Sequence, residues 1–472
     1  MRRGRRIIIC LCVIALLFAA YAVLARPGPE VEDSAASLDI STFEADQVAW
    51  IYYEHKGLGH EFRRDDGLNW VYANDPGFPV NPRYIREMSR RIEGLRSSRR
   101  LGDIDDDRHR DLGFDRPTLY VRAASYGGQE ISYTVGSYND VISHYYMVVN
   151  GLPMIHIVEQ GFVDAFTLDL YDMILMDSPP AFYTSAVTGF EIIKDGARVR
   201  FDYYKDGKPG AYSALQQWFI SDGRVEGYAA GSSYVLNLLA YTGAGMELEA
   251  CALYGATASD LPAYGLDAPA IVSVDYVDDG GGRANIRYYI GDKVGERYYL
   301  MYSGSDMVYL VSALIAETLL ETDPRAYRSA AISLVKLETV ERLTLSSGQE
   351  RYVFDIGHGE YTERDGTVKT RPVYSVNGAE VPADKMVEFY GQFYYADAEI
   401  VLPGNAQSGA APYLVIEFER NTEHFPRMTL EFLPYDASFY LVRFNERSDQ
   451  LMGIRKVEGI LKSARALAGG VA

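Results

Sequence analysis

Cysteine is scarce in this sequence, with 3 in 472 residues. Cys10 and Cys12 fall inside an apolar amino-terminal run, which leaves Cys251 alone in the rest of the chain. A lone cysteine forms no intrachain disulfide and supplies no cysteine-based metal site. Because Cys251 lies in the segment MELEACALY, we expect it to be a small buried hydrophobic residue rather than a reactive thiol.

Motifs of known reaction centres are also missing. The 7 histidines are scattered without an HExxH pair, and there is no Walker loop, no GxGxxG that opens a helix and no GxSxG elbow. The acidic run at 103–107 resembles a calcium loop, but Arg108 and Phe114 occupy the positions that require glycine and glutamate. We therefore expect a protein without catalytic residues, cofactor or metal. Two carboxylates or histidines that converge in one pocket would reopen a hydrolase alternative.

Positive charge is outnumbered, with 46 basic against 65 acidic residues and a net charge of −19. Such a chain repels phosphate backbones, so we expect no nucleic-acid partner. Hydrophobic content of 48% and aromatic content of 13% are sufficient for packed cores. The 38 tyrosines favour half-exposed sheet faces, because tyrosine sits well where one end is apolar and the other is wet.

The amino terminus carries the longest uncharged run. Residues 7–25 are apolar and follow four arginines, and ~19 residues at ~1.5 Å each would span a bilayer core. We predict a cytoplasmic stub and transmembrane helix over 1–26, a linker over 27–42, and extracytoplasmic domains thereafter in a single-pass protein of the cell membrane. A cleaved signal peptide is the alternative, since residues 23–25 resemble a cleavage site.

Three stretches of the chain repeat one pattern of turn, hairpin strands and closing helix. They are 112–168, 264–320 and a degenerate copy at 412–461. The pattern predicts an α+β fold of three tandem modules of antiparallel sheet plus helices, over 43–172, 173–322 and 323–472, behind the amino-terminal helix. Closing helices are expected over 162–170 and 313–320. Asn81 and either Ser232 or Ser233 are expected to cap two further helices.

A Gly-x-Asp-x-Pro turn opens the repeat in the first two modules. Its residues are Gly113, Asp115 and Pro117 in the first copy and Gly265, Asp267 and Pro269 in the second. We expect the glycine to end a helix in the left-handed conformation, the aspartate to bond its own turn backbone, and the proline to start an edge strand. The third module lacks the glycine and aspartate, so we interpret the turn as structural.

Two surface features have a functional and a structural interpretation. Trp50, Trp70 and Trp218 would form an aromatic surface that stacks sugars, or they are core aromatics. The arginines on the predicted helix that follows Asn81 would bind anions or membrane headgroups, or they form a solvated face neutralised by the acidic run after it.

The segments that carry a family resemblance are YGLDAPAIVSV, the IGD turn, RYYLMYSGSDMVYLVS, LGFDRPTLYV with YTVG and HYYM, and the amino-terminal apolar segment. They resemble the bacterial domain-of-unknown-function family 4340 (DUF4340). The resemblance is strongest at 112–168 and 261–320. It implies a single-pass envelope protein that accompanies ABC transporter subunits of the gliding-motility type, and it carries no catalytic residues. A binding module for cell-wall glycan or peptide is the alternative.

Overall fold

The computed structural model describes residues 38–40, 44–103, 105–221, 226–365, 367–394 and 396–469. The helices within these residues are all too short or too polar to cross a membrane. The predicted transmembrane segment at 7–25 and most of the predicted linker lie outside the described residues. The chain divides into two compact units, of which the first ends at Leu175 and the second begins at Met176.

The first unit is built on one large antiparallel sheet. Its described strands, β1 to β10, are Leu38–Asp39, Val48–His55, Leu58–Arg64, Trp70–Tyr72, Arg96–Ser97, Arg99–Asp103, Leu119–Ser125, Glu130–Asn139, His144–Val149 and Met154–Glu159. Eight of them form sheet A, in the order β4-β3-β2-β7-β8-β9-β10-β6. The remaining two, β1 and β5, pair with each other.

The second unit contains two further sheets. Strands β11 to β19 are Val187–Lys194, Ala197–Tyr203, Trp218–Ser221, Glu226–Ala229, Ala250–Leu253, Ala270–Val277, Arg283–Val294, Arg297–Tyr302 and Val308–Ser312. Strands β20 to β28 are Val340–Ser347, Glu350–Thr362, Val368–Val376, Ala379–Val381, Ile400–Val401, Leu414–Arg420, Arg427–Pro434, Phe439–Phe444 and Arg447–Gly453. Sheet B has the order β14-β13-β12-β11-β16-β17-β18-β19-β15, and sheet C has the order β23-β22-β21-β20-β25-β26-β27-β28-β24.

The helices are few and mostly short. In the described residues α1 to α7 are Pro82–Glu93, Asp106–Asp111, Gln160–Asp164, Ser232–Leu239, Ala313–Leu319, Ala383–Tyr394 and Ile454–Gly469. Single 3-10 turns lead into the first long strand of each sheet, at Ala45–Gln47, Thr184–Ala186 and Leu337–Thr339. The predicted helix at 162–170 is replaced by α3, which ends at Asp164.

The predicted α+β class is therefore wrong, and the described chain is mainly antiparallel β. The physical reason is geometric: each sheet of eight or nine strands presents one wide apolar face, and two short helices suffice to cover part of it. The three sheets are drawn from residues 48–159, 187–312 and 340–453. The module boundaries at 172/173 and 322/323 stay a prediction.

One strand order recurs in the three sheets. Each sheet consists of two meanders, which pair with each other through their first strands. A short strand that precedes the second meander in the chain pairs with the last strand of that meander and forms the edge of the sheet. One helix follows each meander. The central pairs are antiparallel, with Ile51 opposite Ala123 in sheet A and Ile192 opposite Val272 in sheet B. Each of these two pairs has one register shift near the start of its first strand. Burial alternates along these strands, so one face packs into a core and the other remains half-exposed.

Sheets B and C are joined by buried contacts within the second unit. Tyr212, in the loop after β12, packs its ring against Phe444 of sheet C at 5.1 Å. Its carbonyl oxygen accepts a hydrogen bond from Arg420 at 3.0 Å. After α5, the buried Arg328 lies 3.3 Å from the buried Asp449 of β28. These contacts fix the second unit as one body with two sheets. Cys251 is buried, as the sequence predicts.

Candidate functional site

The predicted Gly-x-Asp-x-Pro turns are helix ends with one geometry. The backbone φ is +81° at Gly113 and +65° at Gly265, in the left-handed region that favours glycine. The next amides, of Phe114 and Leu266, each donate to the carbonyl five residues back at 3.0 Å. The glycine amides donate to the carbonyl three residues back. This pair of bonds is the Schellman motif, and it directs the residue after the glycine into the core.

Each turn packs against a second glycine in the opposite strand. A β-carbon on Gly136 would fall on the carbonyl oxygen of Leu112, and one on Gly291 would fall on that of Tyr264. Both glycines lie where β8 and β17 shift register against their neighbours. A register shift of this kind bends the strand and lets another backbone approach closely.

The aspartates and prolines contribute less to the geometry of the turns than the glycines do. Asp115 and Asp267 are exposed, and neither side chain makes a hydrogen bond among the described residues. Pro269 directly precedes β16, and Pro117 lies two residues before β7. The turns are structural in this geometry, and they bring no group of reactive side chains together.

Sheet C builds the equivalent connection differently. Strand β26 pairs with β27 without a register shift, from Leu430 to Pro434. The segment before β25 runs along β28, where the amides of Leu402 and Ala406 donate to the carbonyls of Asp449 and Ser448 at 2.7 Å. The register-shift glycine and the capping glycine are therefore absent together.

The three tryptophans do not form one surface. Trp70 and Trp218 are buried, with 6% and 4% of their surface exposed. Trp70 lies beneath the Arg64 guanidinium, and Trp218 packs on Tyr203. Only Trp50 is half-exposed; its ring is stacked 6.5 Å from that of Tyr52 on the open face of sheet A.

The candidate functional site is the space between the two helices that follow the meanders of a sheet. In sheet B this space is open. A groove of about 390 Å³ separates α4 from α5, within the usual ~300–1,000 Å³ range of binding pockets. Its apolar rim is solvated: Leu314 is 67% exposed and Tyr234 is 46% exposed. The floor is formed by the buried Leu238 and Tyr327. We call this the sheet B groove.

The polar side of the sheet B groove is acidic. Glu317 and Glu321 line it. The Lys293 ammonium donates to Glu317 at 2.8 Å and holds the pKa of that carboxyl below its usual range. Tyr298 donates a second hydrogen bond to the same oxygen at 3.3 Å. The groove therefore combines exposed apolar side chains with two acidic side chains, which suits an apolar segment flanked by cationic residues.

The equivalent place in sheet A holds arginines. A groove of about 490 Å³ between the end of α1 and the start of α3 is lined by Arg90, Arg91 and Arg96, with Glu159 on the opposite side. We call this the arginine groove. Helix α1 begins at Pro82 behind Asn81, whose side chain accepts from the amide of Arg83, so the predicted cap is confirmed.

In sheet C the equivalent place is closed. Helices α6 and α7 are 12 and 16 residues long, against 8 and 7 for α4 and α5. The Gln392 side chain of α6 and Ser463 of α7 are hydrogen-bonded at 2.8 Å. Phe389 and Phe393 of α6 are buried beneath the pair. These longer helices are therefore in direct contact with each other.

Within the described residues, no three histidine, cysteine, aspartate or glutamate side chains converge as a metal centre would require. Sequence reasoning missed the sheet B groove, because the exposure of Leu314 depends on helix lengths that periodicity does not fix. It named the arginines after Asn81 as a candidate anion site, but it did not predict the groove that they line. A signal was present in α4, where Leu236 and Tyr234 extend the apolar surface beyond one face.

Comparison with known proteins gives one result. The sequence profile of the family described as "Domain of unknown function (DUF4340)" matches residues 237–387, about a third of the chain. The match contains the stretch 261–320 and most of the sheet B groove, whereas 112–168 lies outside it. No curated protein and no solved structure matches the chain. The chain therefore carries a DUF4340 domain in residues 237–387.

Proposed function

We propose that this protein is a membrane-anchored, extracytoplasmic accessory protein that binds a partner through the sheet B groove. It would act by binding rather than by catalysis. The observation that carries the proposal is the solvated apolar rim at Leu314 and Tyr234, inside a groove that belongs mostly to the DUF4340 domain. Exposed apolar side chains around a groove are typical of interaction sites.

The partner that we propose is an ABC transporter subunit of the gliding-motility type, on the outer face of the membrane. The apolar run at 7–25 supports the location, since a segment of this length and its preceding arginines suit an anchor with the remaining chain outside. The carboxylates of Glu317 and Glu321 favour a docking segment in which apolar residues are flanked by lysine or arginine.

Site-specific crosslinking tests this proposal. The full chain, with a photoreactive residue at position 314, is irradiated in its native membrane and the adducts are identified by mass spectrometry. We expect an adduct with an ABC transporter permease. Leu152, which is 60% exposed in a turn of the first unit, is the matched control position. Equal adducts at both positions, or no transporter subunit at position 314, would contradict the proposal.

A charge substitution sharpens the same test. Leu314→Asp should lower recovery of the permease from detergent-solubilised membranes by about tenfold, because buried apolar anchors dominate interface energies. Leu152→Asp carries the same change of charge at a similar exposure and should leave recovery unchanged. Unfolding curves of both variants show whether the fold is retained.

The alternative, a module that binds cell-wall glycan or peptide, now depends on Trp50. Two of the three predicted aromatic residues are buried and cannot stack on a sugar. Trp50 retains an exposed ring beside Tyr52, with the Arg122 guanidinium 5.4 Å from its centre. Binding of soluble peptidoglycan fragments that is lost in Trp50→Ala would favour this alternative over transporter docking.

A further inference from the structure

The arginine groove lies in the part of the chain where positive charge concentrates. Residues 83–100 contain seven arginines and two glutamates, in a chain whose net charge is −19. All seven arginines are exposed. The predicted neutralisation by the acidic run at 103–107 is limited, because Asp105 caps α2 through the amide of Arg108 at 2.8 Å and its carboxylate also lies near that side chain.

Nearby carboxylates orient the arginines of the groove, but they do not occupy all the nitrogens of each guanidinium. Arg91 donates its Nε to Glu87 at 2.8 Å, and Arg90 lies 4.0 Å from the same carboxylate. Arg96 places its Nε 3.0 Å from Asp39. Among the described residues, no hydrogen bond engages the terminal nitrogens of Arg91 or Arg96. A guanidinium held through Nε keeps its terminal nitrogens for a planar, bidentate acceptor.

A glycine on α3 leaves room for this arrangement. The Arg91 Nη1 lies 3.3 Å from where a β-carbon on Gly161 would stand. A β-carbon at position 161 would require the guanidinium to shift by a few tenths of an ångström. The single opposing charge that lines the groove is Glu159, which is exposed and provides no side-chain cap to α3.

The number of residues between the apolar run and β1 limits how far the groove can lie from that run. Strand β1 pairs with β5, with Asp39 opposite Arg96, and the amide of Ile40 donates to the carbonyl of Leu95 at 3.0 Å. Twelve residues, 26–37, separate the apolar run from Leu38, and they reach at most ~45 Å when extended. If 7–25 holds the chain at a bilayer, the arginine groove stays within this distance of the lipid surface.

We propose that the arginine groove binds the phosphate of an anionic phospholipid headgroup. Arginine pairs with phosphate through parallel N–H donors, and the volume of about 490 Å³ admits a headgroup. The inference that the phosphate belongs to a lipid rests on the membrane location proposed above. The inference that the groove binds phosphate rests on the groove alone. The headgroup would hold the first unit at the membrane surface.

The test is calorimetric titration of the full chain in a non-ionic detergent. Dihexanoyl-phosphatidylglycerol is the probe, dihexanoyl-phosphatidylcholine the zwitterionic comparison and inorganic phosphate the free-anion comparison. We expect phosphatidylglycerol to bind, phosphatidylcholine to bind at least about tenfold more weakly, and affinity to fall as salt rises. The measurement needs no transporter, so its failure is distinct from failure of the crosslinking test.

Matched variants assign the binding to the groove. The triple variant Arg90→Gln, Arg91→Gln and Arg96→Gln should weaken phosphatidylglycerol binding about tenfold or more, because charge-assisted bonds are lost. The control triple variant Arg283→Gln, Arg287→Gln and Arg371→Gln removes the same charge from exposed positions elsewhere and should bind as the parent does.

A further variant should act in the opposite direction. Glu159→Gln removes the opposing carboxylate and should tighten binding about twofold to fivefold, as expected for one charge in a solvated groove. Three outcomes would overturn the proposal. They are equal affinity for both lipids, an equal loss of affinity in the two triple variants, and binding of inorganic phosphate when phosphatidylglycerol does not bind.

Discussion

Sheets B and C share a strand order, but the helices that cover them are arranged differently. Over sheet B a groove separates the two helices, whereas over sheet C the two helices are in contact. Over sheet B, helices of 8 and 7 residues stand apart, and Leu314 remains 67% exposed. Over sheet C, helices of 12 and 16 residues meet through Gln392 and Ser463. Because the strand order is the same, the difference between the two helix pairs follows from helix length rather than from sheet topology.

The two helix pairs also differ in what they bury. Over sheet C the ring of Phe389 stacks at 4.9 Å on that of Phe354, and Phe393 is fully buried. Over sheet B the aromatic residue of α4, Tyr234, lies at the rim of the groove. We therefore expect sheet C to supply stability and sheet B to supply binding. Four measurements test this expectation.

The largest effect is expected from Phe393→Ala. Removing a fully buried ring leaves a cavity, so the free energy of unfolding should fall by about 3–5 kcal/mol. Tyr234→Ala, at the rim of the sheet B groove, should change it by less than ~0.5 kcal/mol. Urea unfolding of the full chain measures both. Similar losses in the two variants would show that the helices of sheet B are as important for stability as those of sheet C.

A smaller loss is expected from Gly291→Ala in the register shift of sheet B. The new β-carbon would meet the Tyr264 carbonyl oxygen, a backbone atom that cannot move alone, so we expect a loss of about 2–4 kcal/mol. Gly404→Ala, in the connection of sheet C that lacks the turn, meets open space and should change stability by less than ~1 kcal/mol. Unfolding midpoints that agree within error would refute this assignment.

The contact between the two sheets predicts a pH dependence. Burial raises the pKa of Tyr212 to about 12, above its value of ~10 in an unfolded chain. The unfolded state therefore loses this proton first, so the contribution of Tyr212 to stability is constant below about pH 10 and falls as pH rises toward 12. Tyr212→Phe should reduce the fall between pH 10 and 11 by at most ~1 kcal/mol. Urea titrations at each pH measure the slope, and an unchanged slope in the variant would contradict the assignment.

The smallest effect is expected from Asp267→Ala. The side chain is exposed and makes no hydrogen bond among the described residues, so stability should change by less than ~0.5 kcal/mol. This result would explain how sheet C dispenses with the aspartate. A loss above ~1 kcal/mol would show that the aspartate stabilises the turn of sheet B in a way that the geometry does not reveal.

Local signals in the sequence correspond to local structure where a short segment decides the outcome. Asn81 caps α1 as expected. The prediction fails at α4, which begins at Ser232 but has Gly231 as its capping residue and no side-chain cap. The α+β class was wrong because periodicity indicates that a helix exists more reliably than it fixes the helix length. The tryptophans illustrate a second limit, since composition alone does not tell a buried ring from an exposed one.

The hairpin strands, the glycines at the turns, the burial of Cys251 and the resemblance to DUF4340 could be predicted from the sequence. Each of them depends on neighbours a few residues apart or on a short motif. The tertiary structure decided which strands share a sheet, that two tryptophans are buried, and where the grooves open. These outcomes depend on residues more than a hundred positions apart, such as Arg328 and Asp449, and on how far two helices extend over a sheet. Packing between distant segments sets such distances, and a pattern read along the chain does not contain them.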